Sequence, residues 1–405
     1  MSVVNLKNYI ETLEVGKRPK GGATNSGVPS LGGEHINSNG GFNLDERKLK
    51  YVPYEYYDSL TKGIIKINDI LIVKDGATTG KVAYVDERFT LDKACINEHI
   101  FLLRTNERLY SKYLFYFLYS SKGQQEILKD FRGATVGGIS KEFININFYL
   151  TSLEKQQKIV NILDRAQSLI DKRKAQIKAL DELVKSRFIE MFGDPVNNSM
   201  GWEVKKLKNI STEILSGTTP KGGKQVYVEQ GVIFFRSQNV WRNRLVLDDV
   251  AYIDKQTHSR MAKSSLKNRD ILMTKTGRIN TENSSLGRAA MFLGEDDSAN
   301  INGHVYLIRL QKNIINEFIL FILTTDEYRE YIRSICVGGI DKRQINKEHL
   351  EEFPIIFPTL ELQNQFADFV KQVDKLKFEI QNSLKELEDN FNSLMQKAFN
   401  GELFN

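Results

Sequence analysis

The stretch Arg132–Ser140 reads RGATVGGIS, and 201 residues further on the chain reads CVGGIDK, which sets Gly137-Gly138-Ile139 against Gly338-Gly339-Ile340. The same offset joins NDILIVKDG to RDILMTKTG. Between these segments the offset rises to 207 and 205, so the second copy carries extra residues around RINTENSSLG (278–287). Self-similarity at a fixed spacing indicates a tandem duplication, and we expect the insertion to form a surface loop.

Each copy divides into a strand-rich part and a helical part. The strand-rich part consists of short apolar runs between glycine-rich turns, as in GIIKINDILIVKDG (63–76), a pattern typical of strands. Near its end each copy has one short apolar helix, SKYLFYFLYSS in the first and INEFILFILTT in the second. We assign residues 1–150 and 200–353 to these two domains.

Two long amphipathic helices follow the strand-rich parts. Their apolar residues recur at spacings of four and three: Ile159, Leu163, Ala166, Ile170, Ile177, Leu180, Val184 and Met191 in the first, and Phe366, Val370, Val373, Ile380, Leu384, Leu387, Phe391, Leu394 and Ala398 in the second. A helix of about 36 residues is roughly 54 Å long, more than its own domain can cover. The alternative, that each helix packs only on its own domain, is therefore less favoured than mutual pairing.

The predicted fold class is α+β, with two tandem α/β domains and two long helices. We expect helices 151–194 and 359–401 to pair antiparallel as a coiled-coil spacer with pseudo-two-fold symmetry.

The sequence contains no recognisable catalytic or cofactor motif. All seven prolines are isolated, which excludes the Asn/Asp-Pro-Pro-aromatic turn of methyltransferases that act on amino groups of bases. GATTGKV (76–82) lacks the spacing and the hydroxyl of a phosphate loop. Neither the five scattered histidines nor Cys95 and Cys336 form a metal-ligand pattern. We expect a binding protein without a cofactor or a catalytic residue of its own.

The net charge of +6 is unevenly distributed: +3 for residues 1–150, +6 for 201–350 and −5 for 351–405. A basic excess in both strand-rich parts fits a polyanionic partner. No signal core and no membrane-length apolar run is found, so the expected location is the cytoplasm.

The stretch RSQNVWRNR (236–244) contains the side chains that read guanine and adenine edges in DNA. At offset 201 the first copy places His35 against Arg236 and Asn37 against Gln238, so the framework repeats while the candidate readers change. Lysines beside glycines are candidates for phosphate contacts. The candidate DNA-binding residues are Lys20, His35, Asn37, Lys74, Lys81, Lys221, Arg236, Gln238, Asn239, Arg242, Lys275 and Arg278. The alternative is an ordinary solvated loop.

The order of motifs resembles the specificity subunit of type I restriction-modification enzymes. The resemblance is carried by GATTGKVAYV, NEHIFLLR, GGISKEFI and SLEKQQKIVNILD, with MFGD closing the first long helix, and by GGIDKRQI and LELQNQF in the second copy. It implies that 1–150 and 200–353 are target recognition domains, each reading one half of a split sequence in double-stranded DNA. It also implies that the helices fix the unread gap and dock two modification subunits.

The same resemblance assigns the chemistry to partner subunits. Modification subunits would bring S-adenosylmethionine and methylate adenine, and motor-nuclease restriction subunits would join with ATP and magnesium. Two other hypotheses stay open at this point: a duplicated coiled-coil adaptor that binds proteins without reading DNA, and a methyltransferase in its own right. The first predicts no steep salt dependence of DNA binding, and the second predicts binding of S-adenosylmethionine by the isolated chain.

Overall fold

The computed structural model describes residues 2–133, 137–281 and 283–404. Backbone contacts divide the chain into two compact units: Met1–Ala175 with Gln381–Asn405, and Gln176–Ile380. We call them the first and the second unit. Each contains one strand-rich part and a segment of each long helix. Among the residues described, no helix combines the length and the apolarity needed to cross a bilayer.

The first unit consists of short strands and helices that lead into a long helix. Its strands are β1 (Ser2–Asn5), β2 (Ile10–Val15), β3 (Val28–Leu31), β4 (Tyr51–Val52), β5 (Ile70–Val73), β6 (Val82–Tyr84), β7 (Cys95–Ile96), β8 (Ile100–Thr105) and β9 (Asn147–Leu150). Its helices are α1 (Tyr54–Asp58), α2 (Ser111–Tyr119), α3 (Ser121–Leu128) and the long helix α4 (Leu153–Phe192), which begins in this unit.

The main sheet of the first unit is antiparallel, in the order β2-β8-β5-β6. Successive residues of a strand point to opposite faces. Ile70 and Ile72 of β5 therefore pack in the core that also contains α2, whereas Leu71 and Val73 pack on the other side of the sheet. Because both faces are buried, β5 reads as a continuous apolar run rather than an alternating one. Strand β3 pairs antiparallel with β4 and parallel with β7 in a second layer.

The second unit repeats this plan with additional strands. Its strands are β10 (Val204–Lys206), β11 (Ser211–Ser216), β12 (Tyr227–Val228), β13 (Val232–Phe235), β14 (Val240–Trp241), β15 (Arg244–Leu245), β16 (Ala251–Ile253), β17 (Ile271–Thr274), β18 (Thr276–Arg278), β19 (Ala289–Met291), β20 (Ala299–Ile301), β21 (Val305–Leu310), β22 (Val337–Gly338), β23 (Lys342–Gln344) and β24 (Pro354–Ile356). Its helices are α5 (Leu207–Ile210), α6 (Lys255–Arg260), α7 (Asn316–Thr324), α8 (Asp326–Ile335), α9 (Lys347–Glu351) and the long helix α10 (Leu360–Asn400). The main sheet, β11-β21-β17-β19, and the parallel pair β13-β20 match those of the first unit, which confirms the duplication.

The start of α4 packs against the end of α10 in the first unit. Ile159 of α4 shares one core with Phe391 and Met395 of α10. On the surface beside this core, Lys174 Nζ lies 2.8 Å from Glu388 Oε1. The two segments are therefore in direct contact through both apolar and charged side chains.

The end of α4 packs against the start of α10 in the second unit. The rings of Phe188 and Phe366 lie 5.3 Å apart, and Lys377 Nζ lies 2.5 Å from Asp181 Oδ1. In both units the start of one long helix packs against the end of the other. This confirms the antiparallel pairing and the α+β fold class. The heptad spacing predicts Met191 in the core, but Met191 is only partly buried, and Phe188 and Phe192 are the fully buried residues there. The 3.6-residue period has shifted the buried face by the end of the helix.

The glycines of the repeated hairpin correspond differently from the offset of 201. Gly338 has φ 134°, and the glycine of the first copy with a matching φ, 129°, is Gly133 rather than Gly137. Such a left-handed backbone conformation favours glycine because other residues have a Cβ atom that clashes. The expected match of Gly137 with Gly338 is therefore wrong, and the local offset is 205.

Ile345, and not Ile340, is the counterpart of Ile139. The backbone N–H of Ile139 donates to the carbonyl of Lys74 at 2.8 Å, and that of Ile345 donates to the carbonyl of Lys275 at 2.9 Å. Ile139 is buried, whereas Ile340 is 90% exposed. The second hairpin contains one residue more, so the two GGI sequences resemble each other without occupying equivalent positions.

The insertion at 278–287 begins at the end of β18, which pairs with β23. Asn280 is exposed, but Ser284 and Leu286 are buried, and residue Glu282 lies outside the described residues. The expected surface loop is thus confirmed only for its exposed part, because Leu286 anchors the segment in the core.

Candidate nucleic-acid interface

A short hairpin follows strand β13 in the second unit, within RSQNVWRNR. Its strands β14 and β15 place Trp241 opposite Arg244. Asn243, in the turn between them, has φ 57°, a left-handed conformation that asparagine tolerates. The backbone N–H of Asn243 donates to the carbonyl of Ala289 at 2.9 Å, and its side chain accepts from the hydroxyl of Thr324 at 3.1 Å. These contacts fix the hairpin to β19 and α7.

Arg236 and Gln238 meet at the same acidic residue. Arg236 Nη2 donates to the backbone carbonyl of Asp249 at 2.7 Å and to its carboxylate at 3.1 Å. The side-chain amide of Gln238 donates to the same carboxylate. The Arg236 side chain is only 16% exposed, and its guanidinium lies over the ring of Tyr227. The structure brings these two candidates together, with Arg236 Nη2 and the Gln238 amide already bonded to Asp249.

Arg242 and Arg278 also face carboxylates. Arg242 Nη1 lies 2.8 Å from Asp326, which accepts from Lys185 Nζ at 3.0 Å as well. Burial acts to raise the pKa of Asp326, but the hydrogen bonds from Lys185 and Arg242 hold it below its usual value. Arg278 Nε lies 3.3 Å from Asp341, and its side chain stays 69% exposed. Of these two candidates, Arg278 keeps the larger share of its surface available.

Asn239 and His35 have the same structural role in the two units. Asn239 Oδ1 accepts from the backbone N–H of Arg236, and His35 Nδ1 accepts from that of Gly32, both at 2.9 Å. The other end of each side chain contacts a carbonyl further along the chain, at 2.8 and 3.2 Å. His35 thus corresponds to Asn239 at offset 204, and its expected match with Arg236 is wrong. Both side chains are enclosed, so neither can contact a base in this conformation.

Three candidate lysines lie next to a glycine pair or a strand end. Lys20 and Lys221 are exposed on equivalent glycine-rich turns. Lys74 is half-buried, and its ammonium donates to the carbonyl of Glu98 at 3.0 Å and lies 3.3 Å from the carboxylate of Asp75. Lys20 and Lys221 are therefore open to solvent, whereas Lys74 is held by its own unit.

Lys275, Lys81 and Asn37 are half-buried. Lys275 Nζ lies 5.4 Å from the ring centroid of Tyr306. Lys81 follows the turn between β5 and β6, and Asn37 lines a cavity of about 230 Å³ in the first unit. Within the described part of the chain, no side-chain hydrogen bond or ion pair joins the first-unit candidates to one another.

A group of arginines lies around Trp241 in the second unit, and most of it was not among the sequence candidates. The guanidinium carbon of Arg288 lies 3.9 Å from the indole centroid, and that of Arg244 lies 5.6 Å from it. Burial lowers the pKa of Arg288, and the nearby charge of Arg329 lowers it further. Arg288 and Arg329 are therefore like charges within electrostatic range of each other.

Arg329 extends the group to two more cations. Burial lowers the pKa of Arg329, and the charges of Arg242 and Arg333 lower it further. We call Arg242, Arg244, Arg288, Arg329 and Arg333 the arginine cluster. Guanidinium groups of this kind pair with phosphate oxygens and with guanine edges, so the cluster has the chemistry of a DNA-binding surface.

The sequence contained a signal for part of this cluster. Arg288 aligns with Lys81 at offset 207, and Lys81 was a candidate. Arg329 and Arg333 are four residues apart on α8, which places them on one helical face. Their proximity to Trp241 could not be read from the sequence, because it depends on how α8 packs beside the hairpin.

The first unit presents different chemistry at the equivalent positions. Ser120 and Thr325 cap α3 and α8 in the same way, which sets an offset of 205 between these helices. Gln124 and Leu128 therefore stand where the second unit has its α8 arginines. The amide of Gln124 donates to a backbone carbonyl at 2.7 Å, and Leu128 is 43% exposed. The framework is shared, and the half-buried and exposed side chains on this helical face differ.

The described residues contain no group of three or more His, Cys, Asp or Glu side chains able to hold a metal ion.

Comparison with known proteins points to one family. The model of the type I restriction modification DNA specificity domain matches residues 14–180 and 200–388. The type I restriction enzyme StySPI specificity subunit of Salmonella potsdam is 23% identical over 321 residues, 74% of this chain and 67% of that subunit. The EcoKI specificity subunit of Escherichia coli K12 is 22% identical over 381 residues, 89% of this chain and 80% of that subunit.

Solved structures agree on the fold. A chain from a study of assembly and conformational transition in a type I R-M system has a TM-score of 0.56 at 18% identity, covering 99% of this chain and 98% of that one. The S subunit from M. genitalium has a TM-score of 0.54 at 15% identity, covering 98% and 96%. The two family matches span most of the sequence, and they favour the specificity-subunit hypothesis over the protein adaptor and over an independent methyltransferase. The chain belongs to the type I restriction modification DNA specificity domain family, as a non-catalytic specificity subunit of a type I restriction-modification system.

Proposed function

We propose that this chain reads double-stranded DNA for its restriction-modification complex, with residues 1–150 and 200–353 each reading one half of a bipartite target. The supporting observation is one framework with two different surfaces: Arg329 and Arg333 on α8 stand where Gln124 and Leu128 stand on α3. Base contacts specify a sequence, while the scaffold only positions them. Two copies with different side chains at these positions suit two different half-sites.

We propose that the helices, 151–194 and 359–401, set the unread gap and dock two modification subunits. Each unit leaves large apolar side chains of these helices in solvent. In the second unit Phe378 is 63% exposed, and Leu183 and Leu376 are 48% and 46% exposed. Apolar surface on a charged helix is typical of a site that another protein covers.

In this proposal the partner subunits carry out the chemistry. The modification subunits bind S-adenosylmethionine and methylate adenine, and motor-nuclease restriction subunits with ATP and magnesium join them for restriction. The complex acts on DNA in the cytoplasm. This chain contributes recognition and assembly, and its partners contribute the chemistry.

The deciding experiment is genome-wide mapping of methylated adenines in cells that express this chain with its modification subunit. We expect one two-part motif with an unread gap. Exchanging residues 200–353 for the same domain of another specificity subunit should change one half of the motif and leave the other half and the gap unchanged. A continuous motif, or a change in both halves, would contradict the proposal.

Two further measurements separate reading from spacing. Specific binding should weaken steeply as salt rises, because phosphate contacts release counterions. Insertion of seven residues, two helical turns, into both long helices should lengthen the gap by about three base pairs, since each residue adds about 1.5 Å and each base pair spans about 3.4 Å. The bases of both half-sites should stay the same.

A further inference from the structure

We propose that Arg244 reads a guanine in the major groove, at one base pair of the half-site assigned to residues 200–353. This inference rests on the proposed function and adds a specific residue to it. The guanidinium of Arg244 is available, its support is rigid, and the first unit has no equivalent side chain.

Arg244 is exposed, and no hydrogen bond or ion pair engages its guanidinium within the described part of the chain. Its neighbours in the stretch differ, because Arg236 is bound to Asp249 and Arg242 is bound to Asp326. A free guanidinium offers two parallel N–H donors in a fixed plane. Arg244 is therefore the arginine of RSQNVWRNR whose donors are ready for a partner outside the protein.

The support beneath Arg244 is held in place on several sides. Its guanidinium lies over the ring of Trp241, whose indole N–H donates to the carbonyl of Gln238 at 3.0 Å. Arg288 also lies over the indole, at 3.9 Å. The hairpin turn is fixed through Asn243, which binds the main sheet and α7. An arginine whose side chain is already held in one conformation loses less conformational entropy on binding than a mobile one. This favours a contact that depends on geometry.

Guanine is the base that matches this geometry. It presents the acceptors O6 and N7 side by side in the major groove, and two arginine N–H donors fit them together. The other members of the arginine cluster add positive charge beside the hairpin, which suits phosphate oxygens of the same duplex. Arg244 thus supplies the directional contact, and its neighbours supply the attraction.

The first unit cannot make this contact from the equivalent place. Its loop after β3 is closed by the bridge between Ile36 and Phe42, and it carries Gly40 and Gly41 where the second unit carries Arg244. A glycine has no side chain that could reach a base. The guanine contact is therefore confined to one half-site, as two different half-sites require.

The test uses the complex of the full chain with its modification subunits, after the motif of the wild-type complex has been mapped. Methylation is measured on duplexes in which each base pair of the motif is varied in turn. Arg244→Ala should lose discrimination at one G·C pair of the half-site assigned to 200–353, by roughly 5- to 150-fold, and at no other position. Arg260→Ala, which removes an exposed arginine from α6, should leave every position unchanged.

Arg244→Lys decides between base reading and charge. Lysine keeps the charge but not the planar pair of donors, so a base reader should lose discrimination at the same pair as in Arg244→Ala. If Arg244→Ala weakens methylation of every duplex about equally, the contact is to phosphate, and if Arg244→Lys keeps full discrimination, two planar donors are not required; either result contradicts the inference. If neither variant changes discrimination, it is also wrong. A wild-type complex without a two-part motif would overturn the proposed function, and this inference with it.

Discussion

Arg104 donates two parallel hydrogen bonds to the buried carboxylate of Asp69, from Nε at 2.7 Å and from Nη2 at 2.9 Å. Arg309 and Asp270 repeat this pair in the second unit, at 2.9 and 2.7 Å. Each aspartate side chain is 2% exposed, and each also accepts from a backbone N–H of the preceding turn. The repeat therefore preserves a buried ion pair that ties two strands of each main sheet to the turn before them.

Asp69→Ala should strongly destabilise the first unit. The substitution leaves the guanidinium of Arg104 without its carboxylate, and breaking one side of a buried pair costs about 3–5 kcal/mol. Urea unfolding followed by circular dichroism measures the change in the free energy of unfolding. As a control, Glu154→Gln removes the exposed pair with Lys158 and should leave the free energy of unfolding nearly unchanged. Equal effects of the two substitutions would contradict this prediction.

The architecture could be predicted from the sequence because the apolar residues recur at regular spacings. The apolar spacing of α4 and α10 requires a partner along each helix, and residues at spacings of three and four share a face whatever the tertiary structure. The antiparallel pairing and the short apolar helices α2 and α7 follow from such local rules. The paired acids Asp69 and Asp270 were also visible as a repeat.

The site was less predictable because it depends on contacts between distant residues. The side-chain chemistry of His35 and Asn239 predicts base readers, but in the structure both side chains hold a loop in place. Arg329 was not named, because its place beside the hairpin is set by the packing of α8. The offset of 201 misaligned the loops, since each loop in the second copy has gained or lost residues independently of the strands.

Lys112→Glu should weaken the attachment of α4 to its domain. Lys112 Nζ lies 2.9 Å from Asp164, which also accepts from the hydroxyl of Tyr116 at 2.6 Å. The second unit has the opposite signs, Glu317 and Lys371, at the matching places. Burial acts to raise the pKa of Glu317, but hydrogen bonds from an arginine and the nearby charge of Lys371 hold it low. The charges thus match each helix to its own domain.

A double-mutant cycle measures this match. Lys112→Glu places two carboxylates together and should cost about 1–3 kcal/mol in the free energy of unfolding of the first unit. Adding Asp164→Lys restores opposite charges in the order used by the second unit, and it should recover a large part of the loss. Additive effects of the two substitutions would show that the side chains do not interact.

Asp326→Asn should strengthen binding to DNA of unrelated sequence. Asp326 neutralises Arg242 and Lys185, and its lowered pKa keeps it ionised at neutral pH. The stability that these ion pairs contribute is therefore present above the ordinary aspartate pKa of about 3.9, and it is lost as the pH falls through the lower pKa of the folded protein. At neutral pH the amide releases both cations, so affinity measured by fluorescence anisotropy at low salt should rise several-fold.

A matched charge change controls for the net charge of the chain. Glu379→Gln removes one negative charge from an exposed position on α10. It should raise the affinity for unrelated DNA less than Asp326→Asn does, because no arginine is released. If both substitutions have the same effect, the local pairing of Arg242 is not what limits binding.

Phe378→Ala should impair assembly with the modification subunit and leave folding intact. Phe378 is 63% exposed on α10, so its truncation creates no cavity and should change the free energy of unfolding by less than about 0.5 kcal/mol. A buried aromatic anchor in an interface contributes about 2 kcal/mol or more, which corresponds to a loss of affinity of roughly 30-fold.

Titration calorimetry of the chain with its modification subunit measures this loss. Leu293→Ala removes a comparably exposed side chain, 70% exposed, from the segment after β19, and it should leave the affinity unchanged. Equal affinities of the two variants would exclude this face of α10 as a docking surface.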